Sequence, residues 1–171
     1  MLKSPTKETL HNLYNCYTSK EYPHYFRHFP QELDIQQFVQ ALLPCGLLYE
    51  IQDKGITIGF LTSCINTITH NATLGILILK EHQGSKYALA TFTKYISLLF
   101  NRKVHKIICS ISSSDTRAIK IAEESDFIKE ATLRDNNKYN GKYNNDIIYV
   151  LPHKRYKRLL RLRKKLDKKE G

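Results

Sequence analysis

Residues 74–100 read LGILILKEHQGSKYALATFTKYISLLF. The apolar run 74–79 has the length and composition of a buried strand, and the polar loop 81–86 follows it. Beyond the loop, apolar residues recur at steps of three and four, which indicates a helix. A strand that runs through a loop into a helix start points backbone N–H groups and the positive end of a helix dipole at one place. The stretch therefore predicts an anion site suited to a pyrophosphate.

The composition is that of a single soluble domain. The chain has 171 residues, of which 42% are hydrophobic and 25% charged. No apolar run approaches the ~18 residues that a membrane-spanning helix needs, and residues 1–10 lack the apolar core of a secretion signal. We therefore expect a cytoplasmic protein. The four cysteines form no CxxC pair, so we expect reduced, buried thiols and no metal site.

The positive charge is concentrated at the C-terminal end. The net charge is +11; residues 153–171 hold ten Lys and Arg against two carboxylates, and residues 1–152 hold seventeen against fourteen. We expect a domain at 1–152 and a basic helical tail at 153–171. Such a tail usually contacts something acidic, so nucleic acid, a ribosome or an anionic surface is its predicted partner.

The hydrophobic pattern predicts helices and strands in the order ααβββαβαββα. The first helix, 6–17, begins after Ser4 as N-cap, and the second, 35–43, is capped by Asp34 and stopped by Pro44. Between them lies an irregular, aromatic-rich segment, 21–30. The remaining predicted helices are 87–100, 116–125 and 154–169, and the predicted strands are 47–52, 56–65, 72–79, 104–112, 127–134 and 146–151. This order predicts an α+β or mixed α/β layered fold around one sheet.

The loop resembles the acetyl-CoA signature of the Gcn5-related N-acetyltransferase superfamily. That signature is Gln/Arg-x-x-Gly-x-Gly/Ala between the fourth strand and the next helix, and residues 83–88 read QGSKYA. Gln83 and Ala88 match, while Lys86 replaces the central glycine. The resemblance implies a mixed, mostly antiparallel sheet flanked by helices, with acetyl-CoA as cofactor.

A second stretch is similar to the RimJ/RimL-type ribosomal-protein N-acetyltransferases. Phe127, Glu130 and Arg134 keep the register of that branch, and the turn at 140–142, Asp146 and the strand 147–151 also resemble it. The likeness covers about 45–152 and leaves out the basic tail.

The chain also departs from the pattern. Asp115, Ala118 and Asp126 replace the branch's Asn, Ser and Gly. Ala122 stands where many members have a catalytic tyrosine, and Thr73 stands where a glutamate is often found. The usual general acid and general base are therefore absent from their expected places.

The resemblance implies a set of cofactor-binding residues. Backbone N–H groups of the fourth strand, around Leu77 to Leu79, would polarise the thioester carbonyl. Loop N–H groups and the next helix would hold the pyrophosphate. The predicted cofactor contacts are Leu77, Leu79, Gln83, Gly84, Ser85, Lys86, Tyr87, Ala88 and Asp115.

Four residues are candidates for proton transfer, each with a structural alternative. Tyr149 and Tyr143 lie on the last predicted hairpin, where the family's substrate groove closes, and Tyr149 also alternates with core positions. His70 precedes the fourth strand and is otherwise a solvated loop residue. Glu50 on an early strand faces either the groove or solvent. The aromatic cluster Tyr22, Tyr25, Phe26 and Phe29 lines the acceptor groove or caps the sheet.

Three functions fit these observations. The first is an acetyl-CoA-dependent N-acetyltransferase, a monomer or homodimer, that acts on an amine of a protein or of a nucleic-acid-associated acceptor. The second acylates tRNA or a modified DNA base and docks through the basic tail. The third is a catalytically degenerate form of the same fold that serves as a binding or structural module.

Overall fold

The computed structural model describes residues 2–30, 32–42, 46–84, 87–139 and 141–170. Side chains are described for these residues except Tyr87, Ala88, Tyr139 and residues 163–170. The strands are β1 (Leu2–Lys3), β2 (Leu47–Asp53), β3 (Ile56–Ile65), β4 (Asn71–Ile78), β5 (Lys106–Ser112), β6 (Ile128–Tyr139) and β7 (Lys142–Pro152). The helices are α1 (Lys7–Thr18), α2 (Pro23–Phe26), α3 (Ile35–Leu42), α4 (Tyr87–Asn101), α5 (Thr116–Glu124) and α6 (His153–Glu170), with a 3₁₀ turn at Lys80–His82.

The strands form one sheet of seven in the order β1-β2-β3-β4-β5-β7-β6. Every neighbouring pair is antiparallel except β4 and β5, which run parallel. The predicted mixed, mostly antiparallel sheet flanked by helices is confirmed. The parallel pair arises because α4 carries the chain from the end of β4 back to the start of β5, a crossover connection that parallel neighbours require.

Apolar side chains cover both faces of the sheet. One face packs against α4, α5 and α6, around Tyr95, Leu99 and Ile107, each fully buried. The other face packs against α1, α2 and α3 around Phe60, Leu13 and Phe38. Alternation along each strand assigns successive residues to opposite faces, so the direction of each site side chain follows from its register.

The N-terminal helices differ from the prediction in two ways. Thr6, not Ser4, caps α1: its hydroxyl accepts from the Thr9 N–H at 3.1 Å, and the Thr9 hydroxyl accepts from the Thr6 N–H at 3.0 Å. The segment predicted to be irregular contains the short helix α2, which Pro23 starts at its first position. A proline-led single turn gives little periodic signal, so the pattern did not reveal it.

The helix predicted at 35–43 runs from Ile35 to Leu42, and its predicted cap is confirmed. The Asp34 carboxylate accepts from the Gln37 N–H at 2.8 Å. The predicted stop at Pro44 lies outside the described residues.

The basic helix α6 is attached to the body through its first turns. Phe100 of α4 stacks on His153 and Tyr156 with ring centroids 4.9 and 4.6 Å apart. The Tyr156 hydroxyl shares a 2.6 Å hydrogen bond with Ser97, and Leu159 packs against the main core. The division into 1–152 and 153–171 stays a prediction.

Among the described residues, no helix is both long and apolar enough to cross a membrane.

Candidate active site

The sheet splits open between its two parallel strands. The β4–β5 ladder consists of three pairs, from Asn71–Lys106 to Thr73–Ile108. Beyond these pairs β4 continues to Ile78 and β5 to Ser112, and the described strands are not paired with each other there. A parallel pair that separates in this way leaves backbone donors and acceptors facing a cleft rather than a neighbouring strand. We call this cleft the split.

The backbone of β4 presents alternate residues to the split. The Leu79 N–H donates to the Ile58 carbonyl at 3.0 Å, so this residue faces β3. Because the antiparallel ladder alternates, Leu77, paired with Phe60, faces β3 as well. The N–H groups of Ile76 and Ile78 therefore point toward the split. The donor predicted around Leu77 to Leu79 stays a prediction; within that range the N–H groups of Leu77 and Leu79 face β3, and that of Ile78 faces the split.

The loop after β4 folds back over the open end of the split. The Gln83 side-chain amide donates to the Ile78 carbonyl at 3.0 Å, and its oxygen accepts from Arg117 at the start of α5. Gly84 has a φ of +78°, and a Cβ at this position would meet nothing within 4 Å. Gly84 thus supplies a left-handed turn beside open space. The predicted contacts Ser85 and Lys86 lie outside the described residues.

Two helix starts flank this loop. The α4 helix begins at Tyr87. The first-turn N–H groups and the dipole of a helix make its start favourable for an anion. The α5 helix begins after Asp115, whose carboxylate accepts from the Ala118 N–H at 3.0 Å. Asp115 is therefore the N-cap of α5.

The segment around α2 bridges the split on the opposite face of the sheet. On the β3–β4 side, the Tyr25 hydroxyl shares a 3.0 Å hydrogen bond with Thr62, and its ring lies 3.5 Å from where a Cβ on Gly75 would stand. On the β5 side, the Arg27 guanidinium donates to the Ser110 carbonyl at 2.6 Å. Gly75 and Ser110 each lie two residues past the end of the β4–β5 ladder, so α2 crosses near its apex.

A buried carboxylate fastens this segment to β7. Asp146 is fully buried, and Oδ1 accepts from Arg27 Nε at 3.2 Å and Asn137 Nδ2 at 2.7 Å. Its Oδ2 accepts from Asn136 Nδ2 at 2.8 Å and lies 3.3 Å from His28 Nε2. Burial raises the pKa of Asp146, but these hydrogen bonds and the charges of Arg27 and His28 outweigh it, so the pKa lies below its ordinary value. A buried charge with this many partners is held ionised.

The structure separates the two candidate tyrosines from the split. Tyr149 is 4% exposed on the α5 face of the sheet, and its hydroxyl donates to Glu123 at 2.8 Å. Burial and this hydrogen bond to a carboxylate raise its pKa. Tyr143 is 66% exposed near the tip of the last hairpin, beside Lys138. We therefore assign Tyr149 to packing and Tyr143 to the surface.

His70 and Glu50 also lie away from the open part of the split. His70 precedes β4, at the end of the strand opposite the loop, and its carbonyl accepts from the His105 N–H at 2.7 Å. The Glu50 carboxylate is buried against α1 and accepts from Thr9 at 2.6 Å, Gln52 at 2.9 Å and Thr57. These bonds, with the charge of Lys3, outweigh the opposing effect of burial and hold the pKa of Glu50 below its ordinary value. Glu50 thus ties α1 to the sheet.

Two residues that sequence reasoning did not assign to the site stand out. Arg27 and His28 occur in the aromatic-rich segment, where only aromatic rings were predicted to face an acceptor. Asp146, their partner, was part of the family resemblance without a role. The signal available was weak, because the pairing joins residues more than a hundred positions apart.

Burial makes two of the thiols poor nucleophiles. Burial raises the pKa of Cys16 to about 11 and that of Cys109 to about 12. Both stay protonated near neutral pH. The described residues contain no cluster of His, Cys, Asp and Glu that would hold a metal ion.

Comparison with known proteins finds N-acetyltransferases. No family profile matches the chain. A spermidine N(1)-acetyltransferase of Vibrio cholerae serotype O1 is 30% identical over 93 residues, 53% of each protein, so the matched region spans about half the length of this curated relative.

Solved structures match over a greater length. The V. cholerae spermidine N-acetyltransferase in complex with CoA and spermine has a TM-score of 0.82 at 20% identity, over 91% of this chain and 96% of that one. A dodecameric structure of that enzyme in an intermediate state has a TM-score of 0.77 at 21% identity, over 91% and 95%. A ribosomal-protein-alanine N-acetyltransferase from Brucella melitensis has a TM-score of 0.76 at 15% identity, over 89% and 99%.

The position of Glu50 generates a prediction about stability. Glu50→Gln removes a carboxylate that accepts charge-assisted hydrogen bonds, so the free energy of unfolding should fall by about 1.5–3 kcal/mol at pH 7. Because the folded pKa is depressed, this contribution is present above about pH 4.3 and is lost as pH falls through the folded pKa. Urea denaturation should show that the difference in free energy of unfolding between wild type and variant is smaller near pH 3 than at pH 7.

The control for this prediction is Glu8→Gln, an exposed carboxylate in the first turn of α1. Its loss should cost less than about 1 kcal/mol. A Glu50→Gln variant as stable as wild type at pH 7 would contradict the structural role and return Glu50 to the group of possible proton acceptors.

Proposed function

Because the chain has the fold of the Gcn5-related N-acetyltransferase superfamily, we propose that it is an acetyl-CoA-dependent N-acetyltransferase. The observation that carries the proposal is the split between β4 and β5, with the Gly84 turn and the start of α4 at its open end. The split offers backbone donors to an extended amide-containing arm, and the loop and helix start offer N–H groups to a diphosphate.

The proposed reaction joins the acetyl group to an amine. Bound acetyl-CoA supplies a thioester in the split. The N–H groups of Ile76 and Ile78 face the split and are available to a developing oxyanion, which preorganised backbone donors stabilise. The α2 segment crosses the split on the α1–α3 face, and we expect the amine to approach beside this segment, on what we call the acceptor face. Holding the two reactants in this geometry contributes to the rate before any acid or base acts.

The acceptor that we propose is a primary amine on a protein or on a nucleic-acid-associated molecule. The Vibrio relative has spermidine as its named substrate, so a polyamine is the competing acceptor. Three carboxylates on the α1–α3 face are already engaged: Asp146 with Arg27, Glu21 with Lys80 at 2.9 Å, and Glu50 with hydroxyl groups. Residues 1–152 hold seventeen Lys and Arg against fourteen carboxylates, so the body of the protein has no excess of negative charge to attract a polycation. Initial rates with spermidine, an N-terminal peptide amine and an aminoacyl-tRNA amine rank these acceptors.

The Gly84 turn generates a test of cofactor binding. Gly84→Asp places a carboxylate beside the proposed diphosphate position, and we expect the dissociation constant of CoA, measured by calorimetry, to rise at least about tenfold, because like charges repel. Gly55→Asp is the matched control: Gly55 has a φ of +85°, and a Cβ there also meets nothing within 4 Å. Both variants carry the same backbone strain and charge.

Each result has a distinct meaning. Equal weakening of CoA binding in Gly84→Asp and Gly55→Asp would contradict the assignment of the Gly84 loop to the diphosphate. Wild-type protein that ignores millimolar CoA would overturn the proposed function. Protein that binds CoA but transfers acetyl to no amine would support the binding-module alternative instead.

A second candidate activity concerns the basic helix α6: docking to RNA, as would suit an enzyme that acylates tRNA. The specific observation is that the helix packs through Tyr156 and Leu159, which leaves its described basic side chains on the outside. The exposed basic residues are Lys154, Arg155, Lys157, Arg158 and Arg161. With Tyr156 and Leu159 against the body, α6 presents this basic surface to phosphate groups.

Charge-removal variants test this docking. The α6 variant replaces Lys154, Lys157, Arg158 and Arg161 with Gln, and the control, of equal net charge, replaces Lys7, Lys54, Lys129 and Lys142. With total tRNA as the probe, we expect the α6 variant alone to flatten the plot of log affinity against log salt, by about 0.7–0.9 per lost phosphate contact. Identical slopes in both variants would show an effect of net charge and reject docking through α6.

A further inference from the structure

The proposed transfer needs a group that takes a proton from the amine, and the expected positions do not supply one. Ala122 and Thr73 occupy the places where relatives of this fold often have a tyrosine and a glutamate. Among the described candidates, Glu50 is saturated by hydrogen bonds, Tyr149 lies on the other face, and His70 lies at the far end of β4. A base must therefore lie elsewhere on the acceptor face.

His28 has the exposure and position that a base requires. It follows Arg27 in the segment that crosses the split, and its side chain is 51% exposed, so a solvated amine or a water can reach it. Its Nε2 lies 3.3 Å from the buried Asp146 Oδ2. Within the described part of the chain, its Nδ1 has no hydrogen-bond partner. A histidine with one nitrogen on a carboxylate and the other open is the arrangement of an oriented base.

Asp146 fixes the orientation of this imidazole. The carboxylate is immobilised by Arg27 and two asparagine side chains and is fully buried. When His28 is neutral, a proton on Nε2 that faces the carboxylate leaves Nδ1 as the basic nitrogen. Arg27, on the same segment, balances the carboxylate charge, so the site does not hold His28 permanently protonated.

The charged groups facing His28 act on it in opposite directions. Burial and the charge of Arg27 lower its pKa, while the charge and hydrogen bond of Asp146 on β7 raise it. The neighbouring contribution from β6 is the neutral amide of Asn136. The pKa lies below its ordinary value, so the neutral form predominates at pH 7.

We propose that His28 is the general base of the transfer and that Asp146 is its positioning residue. This inference rests on the proposed N-acetyltransferase function. His28 Nδ1 takes a proton from the amine, directly or through one water, as the amine nitrogen bonds to the thioester carbonyl carbon. The C–S bond then breaks, the sulfur leaves as thiolate, and the thiolate takes up a proton. The products are an N-acetyl amide and CoA, and no oxidant or further reactant is needed.

The test is the pH dependence of kcat/KM for the best amine acceptor. His28→Gln should lower kcat/KM by about 100-fold or more, since general bases contribute about 10²–10⁴. It should also abolish the fall in kcat/KM at acidic pH, the acidic limb of the profile, which protonation of His28 produces. CoA affinity, measured by calorimetry, should stay within about twofold of the wild-type value, because His28 lies on the acceptor face.

A second variant separates a chemical role from a structural one. Asp146→Asn removes the charge that raises the pKa of His28, so the acidic limb should move to lower pH while the rate falls. A purely structural role of Asp146 would lower the rate without moving that limb. His11→Gln, an exposed histidine of α1, is the matched control and should leave the profile unchanged.

The outcomes are distinguishable. A His28→Gln enzyme with the wild-type profile and a kcat/KM within twofold of wild type would overturn the role of His28 and leave the proposed function intact. Wild-type protein that binds CoA but acetylates none of the acceptors would overturn both. A lost acidic limb in His28→Gln with a displaced limb in Asp146→Asn would support the proposal.

Discussion

The short ladder between β4 and β5 is the constraint on which the rest of the structure depends. Three residue pairs join the two halves of a seven-stranded sheet, and beyond them the strands diverge. An opening inside a sheet is costly, because backbone groups lose their partners there. The structure limits this cost from both sides. Gln83 closes the open end on one face, and the α2 segment spans the apex on the other. What remains between them is a lined cleft that suits an extended ligand.

The α2 segment joins the two halves of the sheet across the apex of the split. Tyr25 contacts the β3–β4 half, and Arg27 contacts β5 and Asp146 of β7. The same buried carboxylate that holds Arg27 also lies beside His28. A group that fixes the width of the cleft therefore also orients the proposed base. Asp146 and Glu50 on this face are both held by hydrogen bonds within the protein, so neither carboxylate is available to bind a polycation.

The sequence predicted the central part of the fold well because its signals are local. Strand, polar loop and helix follow one another within residues 74–100, and Asp34 caps its helix as expected. Asp126 has a φ of +66°, which explains why the resembling branch has glycine there. These features depend on residues a few positions apart, so pattern reasoning reaches them.

The candidate site was predicted only in part, for a physical reason. Which strand residue faces the split depends on ladder alternation, and a shift of one residue exchanges Leu77 for Ile76. The Asp146 cluster joins α2 to the last hairpin, and no local period marks such a contact. Glu50 and Tyr149 are chemically suitable groups, but their hydrogen-bond partners, Thr9 and Glu123, come from helices that the sequence does not place against them.

Amide hydrogen exchange of β4, followed residue by residue by NMR with and without CoA, tests the central claim most directly. If the split binds the extended arm of CoA, exchange at Ile76 and Ile78 should slow on binding. Exchange at Leu77 and Leu79, whose N–H groups face β3, should change little. New protection confined to Leu77 and Leu79, or none along β4 despite saturating CoA, would contradict the assignment of the split as the cofactor site.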